Sequence, residues 1–257
     1  MRIARAELPS GEIGYGWLAE DQFQPLDGSP FEQPGRAMTA TGQRLPLGRV
    51  KLLAPCQPSK IVCIGRNYVE HAAEHGAEVP AEPLVFLKPP SAVVGPDDPV
   101  LLPPLSQRVE HEGELVVVIG RRARHLRPDN ALEVVLGYTC GNDVTARDLQ
   151  RRDGQWSRAK GFDTFCPLGP WIETDLDWRD QQVQCLVNGQ VRQSGYTRDM
   201  VFGVPELLAY VTAVMTLEPG DVLMTGTPSG VSPLAAGDVV SVAVSGIGAL
   251  NNVVHKA

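Results

Sequence analysis

No two of the five cysteines fall at a metal-binding or redox spacing. Cys56, Cys63, Cys140, Cys166 and Cys185 are odd in number and scattered, which excludes a disulfide framework. They read as reduced thiols, used as small hydrophobes in a cytoplasmic protein. No stretch approaches the 18 or so apolar residues of a membrane span, and the first twenty residues lack the apolar core of a signal peptide. Neither GxxxxGK[ST] nor GxGxxG occurs, so nucleotide chemistry has no support. A net charge of -7 argues against a nucleic-acid footprint. With 6% aromatic residues the chain is poor in the stacking platforms that sugar sites use.

What is abundant is glycine and proline, at 26 and 22 residues, and this favours many short strands and turns over long helices. The chain is expected to be strand-rich, with a small β region at the N-terminus. Residues 1–55 form that region, with strands at Arg2 to Glu7, Gly14 to Leu18 and Gln22 to Pro25 separated by Pro-Ser-Gly, Leu-Asp-Gly and Gln-Pro-Gly turns. Gly42 to Pro46 and the stretch from Leu52 read as a linker, and residues 56–257 as the main domain.

The main domain centres on His111 to Gln150. Glu112 and Glu114 head the β-branched run Leu115 to Ile119, which is too short for a confident helix and reads as a buried strand. Residues two apart on a strand share a face, so the two carboxylates point the same way. A second apolar run, Val134 to Cys140, ends in Gly141-Asn142-Asp143 and brings a third carboxylate to a strand end. Three clustered carboxylates stay ionised when a cation neutralises them, and all-oxygen ligands select Mg²⁺, Mn²⁺ or Ca²⁺ over Zn²⁺. The competing reading puts Glu112 and Glu114 on the solvent face of an edge strand and Asp143 in a turn or helix cap.

Asn67 suits an N-cap, Glu70 a capping box and Gly76 a C′ stop, which predicts a helix from Tyr68 to His75. His71 and Glu74 then stand at i and i+3, where a carboxylate can orient an imidazole as a general base; the alternative is a solvated helix histidine. So short a helix, followed by Ala77 to Pro83, suits a lid. Lys88 ends an apolar strand as a substrate-side charge or as a strand-edge gatekeeper. Lys160, between Ala159 and Gly161, can lie close to a ligand or simply occupy a loop. Thr145 to Arg152 reads as a helix with Arg147 and Gln150 on one side, Phe202 to Met215 as a packing helix, and Asn188-Gly189 as a hairpin turn. The glycine-flanked Thr225-Gly226-Thr227-Pro228 offers hydroxyl and N–H groups at close approach.

Gly65-Arg66-Asn67-Tyr68 with His71 and Glu74, Phe86-Leu87-Lys88-Pro89, Glu112-Gly113-Glu114, Asn142 to Gln150, Ala159-Lys160 and Thr225 to Pro228 together resemble the fumarylacetoacetate hydrolase family. The resemblance covers about residues 60 to 250, and the N-terminal region resembles that of a bacterial isomerase-like branch. It implies a fold that is mainly β with α+β elements, built of mixed sheets with few short helices, usually as a homodimer, and Mg²⁺ or Mn²⁺ held by Glu112, Glu114 and Asp143, with Ca²⁺ able to take its place. It further implies His71 and Glu74 as a water-activating dyad on a lid, Lys160, Gln150 and Thr227 as contacts to substrate or product, and Arg66 at the substrate carboxylate or positioning the lid.

A cation in such a site polarises the keto group of a 2-oxo acid and stabilises the enolate that develops there. C–C hydrolysis of an acylpyruvate and decarboxylation of oxaloacetate are the expected reactions. Isomerisation of 2-hydroxyhepta-2,4-diene-1,7-dioate and non-catalytic binding of metal or ligand are the alternatives. The partner is a small-molecule 2-oxo acid, with neither nucleic acid nor membrane involved.

Overall fold

The computed structural model describes residues 1–32, 38–74 and 76–257. The Gln-Pro-Gly turn expected at 33–35 and the helix position of His75 lie outside them. The main sheet runs, edge to edge, through Leu45–Pro46, Gln22–Pro25, Ile13–Ala19, Arg2–Glu7, Cys166–Glu173, Val135–Asn142, Gly113–Ile119, Val222–Met224, Ile61–Gly65 and Leu84–Lys88. The N-terminal β region continues this sheet, with Arg2 and Ile3 paired to Glu173 and Ile172. The stretches read as linker also join it, because Leu45–Pro46 pairs with Gln22 and Phe23, and Lys51–Leu53 pairs with Arg5–Glu7.

Gly113–Ile119 is the central strand, antiparallel to Val135–Asn142 on one side and Val222–Met224 on the other, and every residue of it is buried. Its side chains alternate between two cores, as the period of two requires. Leu115, Val117 and Ile119 face the larger core, while Val116 and Val118 face one shared with Ile3, Cys166 and Met224. The larger core is closed by a second sheet of Gln190–Tyr196, Gln182–Val187, Val239–Val244, Gly248–Lys256 and Val100–Leu102. The two sheets pack tightly at Gly113, where a Cβ would lie 3.1 Å from Cys185. The glycine between the two glutamates is therefore where two sheets meet.

Among the described residues there are four short α-helices, α1 Val69–Glu74, α2 Arg147–Asp153, α3 Ser157–Lys160 and α4 Val204–Val214. Thr145 and Ala146, expected to begin α2, instead form a two-residue strand with Val109 and Glu110. The hairpin turn is at Asn188-Gly189, both with positive φ. Asn67 does not serve as a cap. Its amide is held by Phe202 and Thr225, accepting from Phe202 N at 2.9 Å and donating to Thr225 O at 2.8 Å. The Glu70 carboxylate accepts from Ser229 Oγ, so the capping box is replaced by tethers to another loop. All five cysteines are free and buried. Among the described residues no helix is long and apolar enough to cross a membrane.

Candidate active site

The antiparallel register pairs Gly113 with Asn142 and Glu114 with Gly141, so Glu112 and Asp143 meet where the two strands end. Asp143 N donates to Glu112 O at 2.8 Å, and Glu112 N donates to the Asn142 amide oxygen at 2.9 Å. Glu112, Glu114 and Asp143 are 4%, 1% and 1% exposed, and each offers an oxygen within 4.8 Å of the others. The edge-strand reading of the two glutamates is thereby overturned: the strand is paired on both sides and buried on both faces.

Cations and carboxylates alternate through this cluster. Arg108 pairs with Glu110, Glu110 with Arg147, Arg147 with Glu112, Glu112 with Lys160, Lys160 with Asp143 and Asp143 with Lys88. Lys160 Nζ lies 2.8 Å from Glu112 Oε2 and 2.5 Å from Asp143 Oδ2. Burial alone would raise the Glu112 pKa, but Lys160 and Arg147 hold the carboxyl well below the usual range. The same carboxylates keep Lys160 protonated despite its burial.

Glu114 stands outside the chain of pairs. It accepts a hydrogen bond from Gly226 N at 2.8 Å, and no ion pair reaches it among the described residues. Burial, with repulsion from Asp143 and Glu112, pushes its carboxyl well above the usual range. Three buried carboxylates, one lacking a counter-charge, make an all-oxygen donor set that fits a hard divalent cation. Glu112, Glu114 and Asp143 are the residues that would hold it.

Eight of the ten candidate residues line one cavity: Arg66, His71, Glu112, Glu114, Asp143, Gln150, Lys160 and Thr227. It encloses about 60 Å³ of solvent space, room for roughly four waters at about 10–15 Å³ each. The other two stand behind the wall. Lys88 is buried against Asp143 Oδ1 at 2.5 Å, and Glu74 lies outside His71 with Oε2 at 3.4 Å from Nδ1. His71 is buried, so the solvated-histidine reading does not hold. Burial lowers its pKa against the pull of Glu112, leaving the imidazole neutral near neutral pH.

The model of the fumarylacetoacetate (FAA) hydrolase C-terminal domain matches residues 60–255. The chain belongs to the fumarylacetoacetate hydrolase family. An Rv2993c-like N-terminal model matches residues 1–55. A 5-carboxymethyl-2-hydroxymuconate delta-isomerase from Mycobacterium smegmatis is 46% identical, with 100% of both chains covered and a TM-score of 0.93. Human mitochondrial oxaloacetate tautomerase FAHD2A is 45% identical over 84% of this chain and 73% of that protein. A maleylpyruvate hydrolase from Sphingobium sp. SYK-6, in complex with manganese(II) and pyruvate, is 32% identical over 100% of both chains, with a TM-score of 0.80. The family thus contains isomerase, tautomerase and hydrolase members, and the resemblance read in the sequence holds.

Two further residues complete the site in this family member. Arg147 is buried between Glu110 and Glu112 and donates to Gln150 Oε1 at 2.6 Å. The period-two run Glu110, Glu112, Glu114 was a visible signal for its partners. Gln193 reaches in from the second sheet, buried, with four hydrogen bonds. Its Oε1 accepts from Gly113 N at 3.0 Å and meets His111 Nδ1 at 2.9 Å; its Nε2 donates to Thr227 Oγ1 and Pro228 O, both at 2.7 Å. The backbone N–H and C=O fix the amide's orientation, so His111 Nδ1 carries the hydrogen. Gln193→Leu would strand these groups at about 1–3 kcal/mol each. A lowered urea midpoint is expected, and an unchanged one would reject the role.

Proposed function

We propose that the chain hydrolyses the carbon–carbon bond of a short acylpyruvate, a 2,4-dioxo acid, with Mg²⁺ or Mn²⁺ held by Glu112, Glu114 and Asp143. The observation that carries this reading is a buried imidazole, His71, backed by Glu74 and sharing one small cavity with the three carboxylates. The cation would supply Lewis acidity toward the carboxylate and keto oxygen of the 2-oxo acid.

With the Glu74 carboxylate 3.4 Å from Nδ1 and favouring the hydrogen on that nitrogen, Nε2 is the basic nitrogen of His71. It accepts a proton from water as the oxygen adds to the distal carbonyl carbon. The bond between that carbon and C3 then breaks, its electron pair stays with the pyruvate half as an enolate, and C3 takes up a proton. The products are a carboxylic acid and pyruvate. Two N–H groups of Lys160 are committed to Glu112 and Asp143. The third is available to an oxyanion.

Charge supports a dianionic ligand. Arg108, Arg147, Lys160 and Lys88 balance Glu110, Glu112, Glu114 and Asp143. A divalent cation therefore leaves a positive excess, to which Arg66 at the mouth adds. A second reading, proton transfer or decarboxylation on oxaloacetate, is favoured by the small size of the cavity and by the human relative. We read the enzyme as a cytoplasmic homodimer, an assembly that equilibrium sedimentation would test.

The discriminating experiment follows pyruvate release from acetylpyruvate, fumarylpyruvate and oxaloacetate, and decay of enol-oxaloacetate, with Mg²⁺ and with EDTA. Release from an acylpyruvate that EDTA abolishes is the expected result. Activity confined to oxaloacetate would move the assignment to the second reading. Binding of Mn²⁺ without any turnover would make the chain a binder.

A further inference from the structure

The residues lining the cavity divide by exposure. His71, Glu112, Glu114, Asp143, Lys160 and Thr227 are buried, whereas Arg66, Phe86, Gln150 and Trp156 are half-buried and form its rim. A 2-oxo acid held at the carboxylates would leave its acyl end at that rim.

Trp156 is fixed there from several directions. A Cβ on Gly65 would lie 2.6 Å from the indole, so the ring sits directly on the backbone at the end of the Ile61–Gly65 strand. Phe86 meets it edge-on, with ring centroids 5.1 Å apart and planes at 73°. The Arg66 guanidinium carbon stands 5.9 Å from the ring centroid, on a residue whose φ of 56° lies in the left-handed region. Trp156 O accepts from Lys160 N at 3.0 Å. The indole and the cavity's buried ammonium therefore ride on one turn.

We propose that Trp156 is a specificity-determining residue whose indole limits the size of the acyl group the cavity admits. The inference rests on the acylpyruvate reading and deepens it. A flat ring that cannot retreat into Gly65 or Phe86 rejects a bulky acyl end by steric overlap, and such exclusion discriminates as effectively as attraction does. It also gives Gly65 a reason: any side chain there would displace the indole.

The test measures kcat and KM of the Mg²⁺-loaded protein for acetylpyruvate and benzoylpyruvate in wild type, Trp156→Phe and Trp156→Ala. The benzoyl-to-acetyl ratio of kcat/KM is expected to rise about tenfold or more in Trp156→Ala, carried by a lower KM for the bulky substrate, with Trp156→Phe in between. Equal losses on both substrates would mean that the indole is only structural, and an unchanged ratio would also overturn the proposal. If Trp156→Ala does not fold, Trp156→Phe and Gly65→Ala carry the same comparison, the latter displacing the ring without deleting it. A wild type that cleaves oxaloacetate but no acylpyruvate would overturn the underlying reading, and this proposal with it.

Discussion

Glu114→Gln is expected to weaken Mn²⁺ binding by at least about a hundredfold, the upper end of what losing even an outer-sphere partner costs, and to abolish turnover without destabilising the metal-free protein. Glu114 is a buried carboxylate with no ion pair among the described residues, repelled by Asp143 and Glu112. Glutamine keeps an oxygen for Gly226 N and removes the charge. Asp143→Asn should lose metal and turnover as well, but at a cost in stability. It strips Lys88 of its counter-charge and leaves Lys160 with Glu112 alone, and both lysines are 2% exposed. Breaking a buried pair in this way costs about 3–5 kcal/mol.

Calorimetric Mn²⁺ titration and urea unfolding separate the two variants. The pH dependence carries a sign as well. The folded pKa of Glu114 is raised, so the stability its proton confers is present below the ordinary carboxylate pKa and is lost as pH rises through the folded value. In EDTA, Glu114→Gln should flatten that decline. Wild-type Mn²⁺ affinity in Glu114→Gln would take the residue out of the ligand set.

Local periodicity carried much of the site. The alternation of Glu112 and Glu114 placed both carboxylates on one face of the cavity. Whether the glutamates faced solvent or protein was not legible, because burial depends on Val135–Asn142 and Val222–Met224 arriving on either side. Lys88 shows the same limit. It ends the strand Leu84–Lys88 at the edge of the main sheet, as a gatekeeper would, yet its ammonium turns inward to Asp143.

Asn67 was misread for a different reason. A short polar residue ahead of a helix suits a cap by composition, but Phe202 and Thr225, more than 130 residues away, claim its amide. Gln193 had no local signal at all. It joins Gly113 and Thr227 from a different sheet, and only the packing of one sheet on the other brings it there. Placements set by a residue's own strand or helix could be read. The residues that hold those positions in place could not.

His71→Ala is expected to retain Mn²⁺ binding and to lose kcat for the best acylpyruvate by about 10²–10⁴-fold, the range that a positioned general base supplies. His71 makes no part of the three-carboxylate set, so calorimetry should give a wild-type metal affinity. Glu74→Gln should cost less. Glu74 keeps about a third of its side chain in solvent, its oxygens also accept from Gly230 N at 3.3 Å, and glutamine can still meet His71 Nδ1. The two variants also differ in pH profile. Burial lowers the His71 pKa while Glu74 raises it, so the wild-type acid limb should lie below the usual imidazole value of about 6.5. Removing the Glu74 charge should move that limb lower still. A limb that moves up, or a kcat unchanged in His71→Ala, would exclude His71 as the base. Loss of acylpyruvate cleavage with oxaloacetate proton transfer intact would confine His71 to activating water.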